Sequence, residues 1–569
     1  MENDAQVISV MPNKIKIAIG DIENFKDSEE KFAVGSYLRV SDSNDCAIIA
    51  MVENFTIEKQ PDKDERNYII EAVPIGFLDS EGCFSRGGNN IAIPPTGVEP
   101  ARKDEIQAIY NQILENKRFK FSHLRQNKEV YTPVDGDKFF NKHFAIVGST
   151  GSGKSHTVAK ILQNAVMEKN TKYDGLNNSH IIVFDIHSEY KKAFPDSNYI
   201  DVSQLKLPYW LMNGEELEEM FVETGENQAY NQISLLRRII TRNKVIKNVG
   251  HDDVSFDTAV YFSIREVLNA LINLGKETRN AKNNDLITIS DGEKSFESDE
   301  KKYDNYFTKV HEFTEQKNGS VSKGTYNDGS LDKFISRIKN KINDKRMSFL
   351  FRDDVIKMPL ENVLKNLLGY GDDKSNITIF DLSGVPFEVL SITVSLISRL
   401  LFECGYYMKQ IHKNDCVAPL LLVYEEAHKY VPKANDAKYN SSRIAIERIA
   451  KEGRKYGVTL AIISQRPSEI SETIFSQCSN FVVMRLTNPQ DQNYVKRLLP
   501  DSLGDMTESL PSLGSGDAII IGDSIVMPSI IEMDRCNPEP DSNDIKYFEE
   551  WKKKWRDIEF EKIIKRYEK

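Results

Sequence analysis

The sequence has no apolar run close to the ~20 residues that a membrane-spanning helix needs. Its best candidate, Val389–Ser398, stops at Arg399 and reads as a buried helix, so no membrane role is expected. A basic excess is missing too: 75 Lys and Arg stand against 86 Asp and Glu, a net charge of −11. That balance excludes a bulk basic surface for coating nucleic acid, and confines any such contact to local loops or an internal channel. The six cysteines (Cys46, Cys83, Cys404, Cys416, Cys478 and Cys536) are scattered without a C-x-x-C pair. This argues against a zinc or disulfide framework and fits a reducing cytoplasm. The opening MENDAQVISVMPNK is acidic and has no apolar stretch, which speaks against a secretory signal. Internal repeats are also lacking. With 40% hydrophobic and 28% charged residues over 569 positions, the chain has the balance of two or three soluble globular domains.

Residues 1–110 carry short β-type runs: IKIAIG, YLRVS, CAIIAMVENFTI, NYIIEAVPIGFL and NIAIPP. Asp, Asn, Gly and Ser clusters separate them, a spacing that predicts a small β-barrel. A linker over 111–139 leads to the segment HFAIVGSTGSGKSHTVAKILQ, His143–Gln163, around which the rest is organised. Gly148, Gly153, Lys154 and Ser155 occupy the fixed positions of G-x-x-x-x-G-K-[ST] between a strand-like run and a helix-like one. Glycines let the backbone aim successive N–H groups at an anion, and the helix N-terminus adds partial positive charge. The expected nucleotide cradle is therefore Gly148, Ser149, Thr150, Gly151, Ser152, Gly153, Lys154, Ser155 and His156. Lys154 would reach the outer phosphates of ATP, and the Ser155 hydroxyl would ligate Mg²⁺.

Beyond residue 140 the chain alternates strand and helix, which predicts a parallel sheet covered on both faces. A mostly helical insertion over about 213–350 splits this region, and its polar part, 283–330, reads as flexible. The basic segments Arg237–Lys247 and Lys333–Arg346 are candidate phosphate contacts, set against the simpler reading of solvated helix faces. The end, 536–569, is expected to be helical, with Phe548, Trp551, Trp555 and Ile558 as a stripe packed on its own domain or a neighbour.

A P-loop alone suits a kinase, GTPase, transporter ATPase or motor. The discriminating stretch is PLLLVYEEAH, where a buried strand ends in Glu425 and Glu426. One carboxylate there can hold Mg²⁺ through water, and its neighbour can orient or deprotonate an attacking water. Together, VGSTGSGKS, the D-x-H-x-E-Y of Asp185, His187, Glu189 and Tyr190, EEAH, KEGRKYG and ISQRP resemble the HerA branch of the FtsK–HerA superfamily. The resemblance covers residues 1–250 and 376–535.

It implies an α/β RecA-like ATPase core (140–535) with an N-terminal small β-barrel, in a homo-hexameric ring that hydrolyses ATP and translocates double-stranded DNA. By the same likeness Glu425 supports the metal, Glu426 activates water and Gln465 senses the γ-phosphate. Arg454 would be the finger entering a neighbour's site, with Arg448 and Arg466 as rivals. The resemblance also implies a partner enzyme, a nuclease or a sirtuin-like NAD-consuming effector, docking near the barrel, and a place in anti-phage defence. The alternative is an ATP-dependent assembly hub that activates an effector with little translocation. Two departures stand out: Glu425 where related motors often carry Asp, and Ser188 where the family usually has glycine, which leaves the role of that loop open.

Overall fold

The computed structural model describes residues 5–11, 14–20, 33–41, 46–59, 66–86, 97–223, 229–315, 320–413, 417–433, 440–498, 505–542 and 545–567. The expected run NIAIPP, residues 90–95, and Cys416 lie outside them.

The N-terminal sheet is antiparallel and curls into a barrel. Its strands run in the order Ala5–Met11, Lys14–Ile19, Arg66–Leu78, Ala47–Lys59, Tyr37–Ser41 and Val98–Pro100. A bridge between Gln6 and Gly97 joins the first strand to the last. Alternate residues point inward, as the two-residue period of a strand requires: Ile15, Ile17, Ile19, Leu38, Val40, Ile48, Ala50 and Val52 fill the interior. The opposite face, with Tyr37, Ile49, Met51 and Val73, packs onto the ATPase core. Arg86 fastens this contact by donating to the carbonyls of Ile525 and Val526, and the Tyr37 hydroxyl donates to Ser529 Oγ at 3.1 Å.

The core is a ten-stranded sheet ordered Asn198–Ile200, Ile377–Asp381, His180–Asp185, Leu420–Tyr424, Val458–Ser464, Phe144–Val147, Asn480–Met484, Asp517–Gly522, Ser529–Met533 and Ser122–Leu124. The strands up to Asn480–Met484 are parallel; the last three join antiparallel. Every residue of Phe144–Val147, Leu420–Tyr424 and Val458–Ser464 is buried, the near-continuous apolar run of a strand covered on both faces. The helix Phe387–His412 contains the apolar stretch that the sequence marked as buried, and among the described residues no helix is long and apolar enough to cross a membrane.

Two expectations are corrected. The polar stretch 283–330 was expected to be flexible, yet its described residues belong to a folded unit. Strands Gly292–Lys294, Ile287–Ile289, Thr278–Asn280 and Val321–Lys323 form a small sheet beside the helix Asp299–Thr308. Tyr303, Tyr306 and Phe307 are buried together with Ile287, Ile289 and Val321, and the Tyr306 hydroxyl donates to the buried Glu277 at 2.8 Å. The C-terminal stripe, in turn, does not lie on one helix. Two short helices, Tyr547–Trp551 and Phe560–Tyr567, flank a non-helical segment, and Trp551 and Trp555 are 76% and 90% exposed. Isolated helices this short are marginal, and the run Lys552–Lys554 adds like-charge repulsion.

Candidate ATP site

The P-loop joins the end of Phe144–Val147 to the helix Lys154–Met167. Gly151 and Gly153 adopt φ of 71° and 103°, where a side chain would be strained; a Cβ on Gly153 would also stand 3.3 Å from the Gly516 nitrogen. The loop is clamped to both neighbouring strands: Gly148 N–H donates to Ser464 O at 3.2 Å, and Ser149 N–H to Arg485 O at 2.7 Å. Lys154 is buried, and its Nζ donates to Ser149 O at 3.3 Å. Burial pushes its ammonium below the ordinary lysine value, while Glu425, Glu426 and Glu189 pull it back up.

Glu425 and Glu426 follow Leu420–Tyr424 and are both buried. One strand, Val458–Ser464, lies between theirs and the P-loop strand, and Gln465 follows directly after it. The sheet order therefore places Gln465 between the two halves of the site. Its amide nitrogen donates to Glu426 Oε1, and its oxygen accepts from the Thr150 hydroxyl at 2.6 Å. Glu426 sits at φ 50° and ψ 47°, a left-handed conformation rare outside glycine, and such strain clusters at functional positions. His428 Nδ1 is 3.2 Å from Glu426 Oε2 and 3.3 Å from Ser464 Oγ, and burial holds its imidazole below the ordinary histidine range. Burial likewise lifts Glu425 to about 8, opposed by the hydrogen bond that the Tyr190 hydroxyl donates to its Oε2 at 2.7 Å.

The D-x-H-x-E-Y loop acquires a place here. Asp185 ends its strand and accepts the N–H groups of His187 and Tyr190, each at 3.0 Å, which folds the intervening residues into a tight turn. Burial raises this carboxyl to about 6. Ser188 has φ 58°, the conformation for which glycine is the easier residue, and uses its hydroxyl to reach Asp381 Oδ2 at 2.7 Å. The turn delivers Glu189 to the Ser155 hydroxyl, 2.6 Å away, and Tyr190 to Glu425.

Lys154, Ser155, Thr150, Glu425, Glu426 and Gln465 are thus brought together. His156 has its Nδ1 3.4 Å from Cys536 Sγ. Arg454 is exposed and precedes Val458, so it lies at the far end of a seven-residue strand from Gln465, roughly 20 Å away at ~3.3 Å per residue. Arg448 stacks over Phe402, 4.9 Å from its centroid, and Arg466 pairs with Glu469 at 2.8 Å. Sequence reasoning missed Arg485, whose Nη2 is 3.5 Å from Gly151 O and whose buried Nε has no hydrogen-bond partner. The available signal was an arginine directly after the buried strand NFVVM, at the sheet edge that bears the P-loop.

The donor set around Ser155 is oxygen from a hydroxyl and carboxylates, which fits a hard divalent cation such as Mg²⁺. Among the described residues no group of three His, Cys, Asp or Glu side chains could cage a metal alone. Mg²⁺ in phosphate sites takes only one or two protein ligands beside phosphate and water, so this set suffices.

The family description "Helicase HerA, central domain" matches residues 119–401. The DNA double-strand break repair helicase HerA of Sulfolobus acidocaldarius is 28% identical over 528 residues, covering 91% of this chain and 88% of its own. A probable HerA of Methanocaldococcus jannaschii is 24% identical over 559 residues, 92% and 95% of the two chains. Among solved structures, VirB4 of Thermoanaerobacter pseudethanolicus superposes with a TM-score of 0.46 at 12% identity, covering 75% of this chain and 98% of that one. The P-loop, the glutamate pair and the interposed Gln465 strand thus stand in one site of a chain whose residues 119–401 match the HerA central domain and which is similar over most of its length to HerA helicases.

Proposed function

We propose that the chain is an ATP-driven motor that translocates on double-stranded DNA as a homo-hexameric ring. The observation that carries this reading is the relay from Thr150 through Gln465 to Glu426, which links the phosphate cradle to the water-activating carboxylate. Lys154 and the loop N–H groups bind the β- and γ-phosphates, and Ser155 and Glu425 would hold Mg²⁺, which neutralises charge building on those phosphates. Glu426 accepts a proton from the attacking water, and Gln465 reports the presence of the γ-phosphate through its bond to Thr150. Arg454, remote from its own site, completes a neighbour's; charge stabilisation then arises only at a formed interface.

Contact with DNA is electrostatic and independent of sequence. Most cations of Arg237–Lys247 are already engaged: Arg242 binds Asp304 in a fork, Lys247 pairs with Glu266, and Lys244 is buried. The exposed Lys333 and Lys339 of the helix Asp332–Asn343 remain as the better phosphate contacts. A partner nuclease or sirtuin-like effector at the N-terminal barrel, and a role in anti-phage defence, complete the proposal.

The net charge of −11 favours one second reading, an assembly hub that activates an effector with little translocation. ATP hydrolysis against duplex DNA concentration, at several salt concentrations, separates the two. A motor shows DNA-stimulated turnover that weakens with salt. Turnover indifferent to DNA removes the motor reading.

A further inference from the structure

Glu189 and Tyr190 are consecutive, and each engages a different half of the ATP site. The Ser155 hydroxyl donates to Glu189 Oε2 at 2.6 Å, and the Tyr190 hydroxyl donates to Glu425 Oε2 at 2.7 Å. The turn that presents them is held at both ends, by Asp185 accepting from His187 and Tyr190 and by Asp381 accepting from Ser188. A solvated acidic loop would need none of these restraints.

The chemistry of the Ser155 contact is directional. A serine hydroxyl has one proton and two lone-pair sites. At 2.6 Å to a carboxylate the bond falls in the short, charge-assisted range, so the proton is committed to Glu189. Both lone pairs of Oγ then face away from Glu189, and the oxygen is polarised toward a cation. Partners that orient a ligand in this way govern metal affinity nearly as strongly as the ligand itself. Glu425, Glu426 and Glu189 all lie close enough to act on the single Lys154 ammonium, an oxygen-rich set that suits a divalent cation.

We propose that Glu189 is a positioning residue for the divalent cation: it holds the Ser155 hydroxyl so that its lone pairs meet the metal, while Tyr190 orients Glu425. This rests on the reading of the site as a magnesium–nucleotide site.

The test uses the full chain and a fluorescent ADP, titrated in EDTA and across a Mg²⁺ series. Glu189→Ala raises the Mg²⁺ concentration for half-maximal nucleotide binding by about 10- to 100-fold. In EDTA the same variant binds nucleotide as well as wild type or better, since a carboxylate near the phosphates is gone. Glu189→Gln falls between, because its amide oxygen still accepts but carries no charge. In a Ser155→Ala background, Glu189→Ala adds nothing further. An unchanged Mg²⁺ requirement in Glu189→Ala overturns the proposal, as does additivity with Ser155→Ala. An equal loss with and without Mg²⁺ marks a merely structural residue and overturns it too. Wild type that binds nucleotide without regard to Mg²⁺ overturns the site reading itself and this inference with it.

Discussion

Replacing Tyr190 by Phe removes one oxygen from the interior of the site and leaves the ring that packs beside Phe194. Tyr190 is fully buried, and its hydroxyl donates to Glu425. Burial and the adjacent Glu425 push that hydroxyl well above the ordinary tyrosine value, so it stays a donor at any working pH. Its effect on Glu425 has a definite sign. Burial lifts the carboxyl to about 8, and the Tyr190 bond holds it down by favouring the ionised form. A hydrogen bond to a charged partner contributes about 1.5–3 kcal/mol and one to a neutral partner about 0.5–1.5 kcal/mol. The difference of roughly 1–1.5 kcal/mol corresponds to about one pH unit.

Tyr190→Phe is therefore expected to raise Glu425 further and to move the acid limb of ATP hydrolysis about one unit upward, with activity recovered on the alkaline side. The linkage runs the same way. A carboxyl raised on folding contributes stability at low pH that is lost as pH climbs from the ordinary carboxyl range to about 8; in Tyr190→Phe the loss continues above that value. The assay is kcat/KM for ATP from pH 6 to 9.5 in both proteins. An unmoved acid limb, or a uniform fall across the range, refutes the reasoning.

Further outcomes follow from the same site and its supports. Glu426→Gln keeps nucleotide binding but lowers turnover about 10²- to 10⁴-fold, the usual contribution of a general base; fluorescent-nucleotide binding beside phosphate release checks both halves. Lys154→Ala and Arg454→Ala are each inactive alone, and mixing them restores part of the turnover if Arg454 acts on a neighbour; a mixture no better than its components removes that role. Arg399→Ala strands Glu216, whose carboxylate is fully buried and receives Arg399 at 3.0 Å. A loss of about 3–5 kcal/mol is expected in denaturant unfolding, and a loss below about 1 kcal/mol would show that the pair is not what holds the insertion to the core.

The P-loop geometry was legible because four residue types at fixed spacing, between a strand and a helix, leave few alternatives. Glu425 and Glu426 were legible as acids ending an apolar run. What the chain order does not convey is strand order: nothing local says that Val458–Ser464 inserts between the P-loop strand and the glutamate strand, and Gln465 owes its position to that. Glu189 and Tyr190 were visible as a motif, but their partners are 34 and 235 residues away in sequence. Ser188 looked like a defect where glycine is usual; its left-handed φ explains the family preference, and its bond to Asp381 shows how serine is accommodated. The small sheet around Tyr306 was missed because its few buried aliphatics, Ile287, Ile289 and Val321, are scattered in a polar stretch and aromatic rings complete its core. The tryptophan stripe was placed on one helix because its spacing is helical, whereas the segment between Trp551 and Phe560 is not helical.

The arrangement of Asn198–Ile200 beside Ile377–Asp381 has a mechanical consequence. The two strands are hydrogen-bonded neighbours, so residues 201–376 amount to a single crossover connection grown to the size of a domain. The lobe is tethered at both ends to adjacent strands and also packs on the core, where Arg399 meets Glu216. The departure point lies beside one carboxylate. Asp381, at the end of the re-entry strand, receives the hydroxyls of Tyr199, from the departing strand, and of Ser188, the residue before Glu189. One carboxylate thereby ties the departing strand and the returning strand to the turn that grips Ser155.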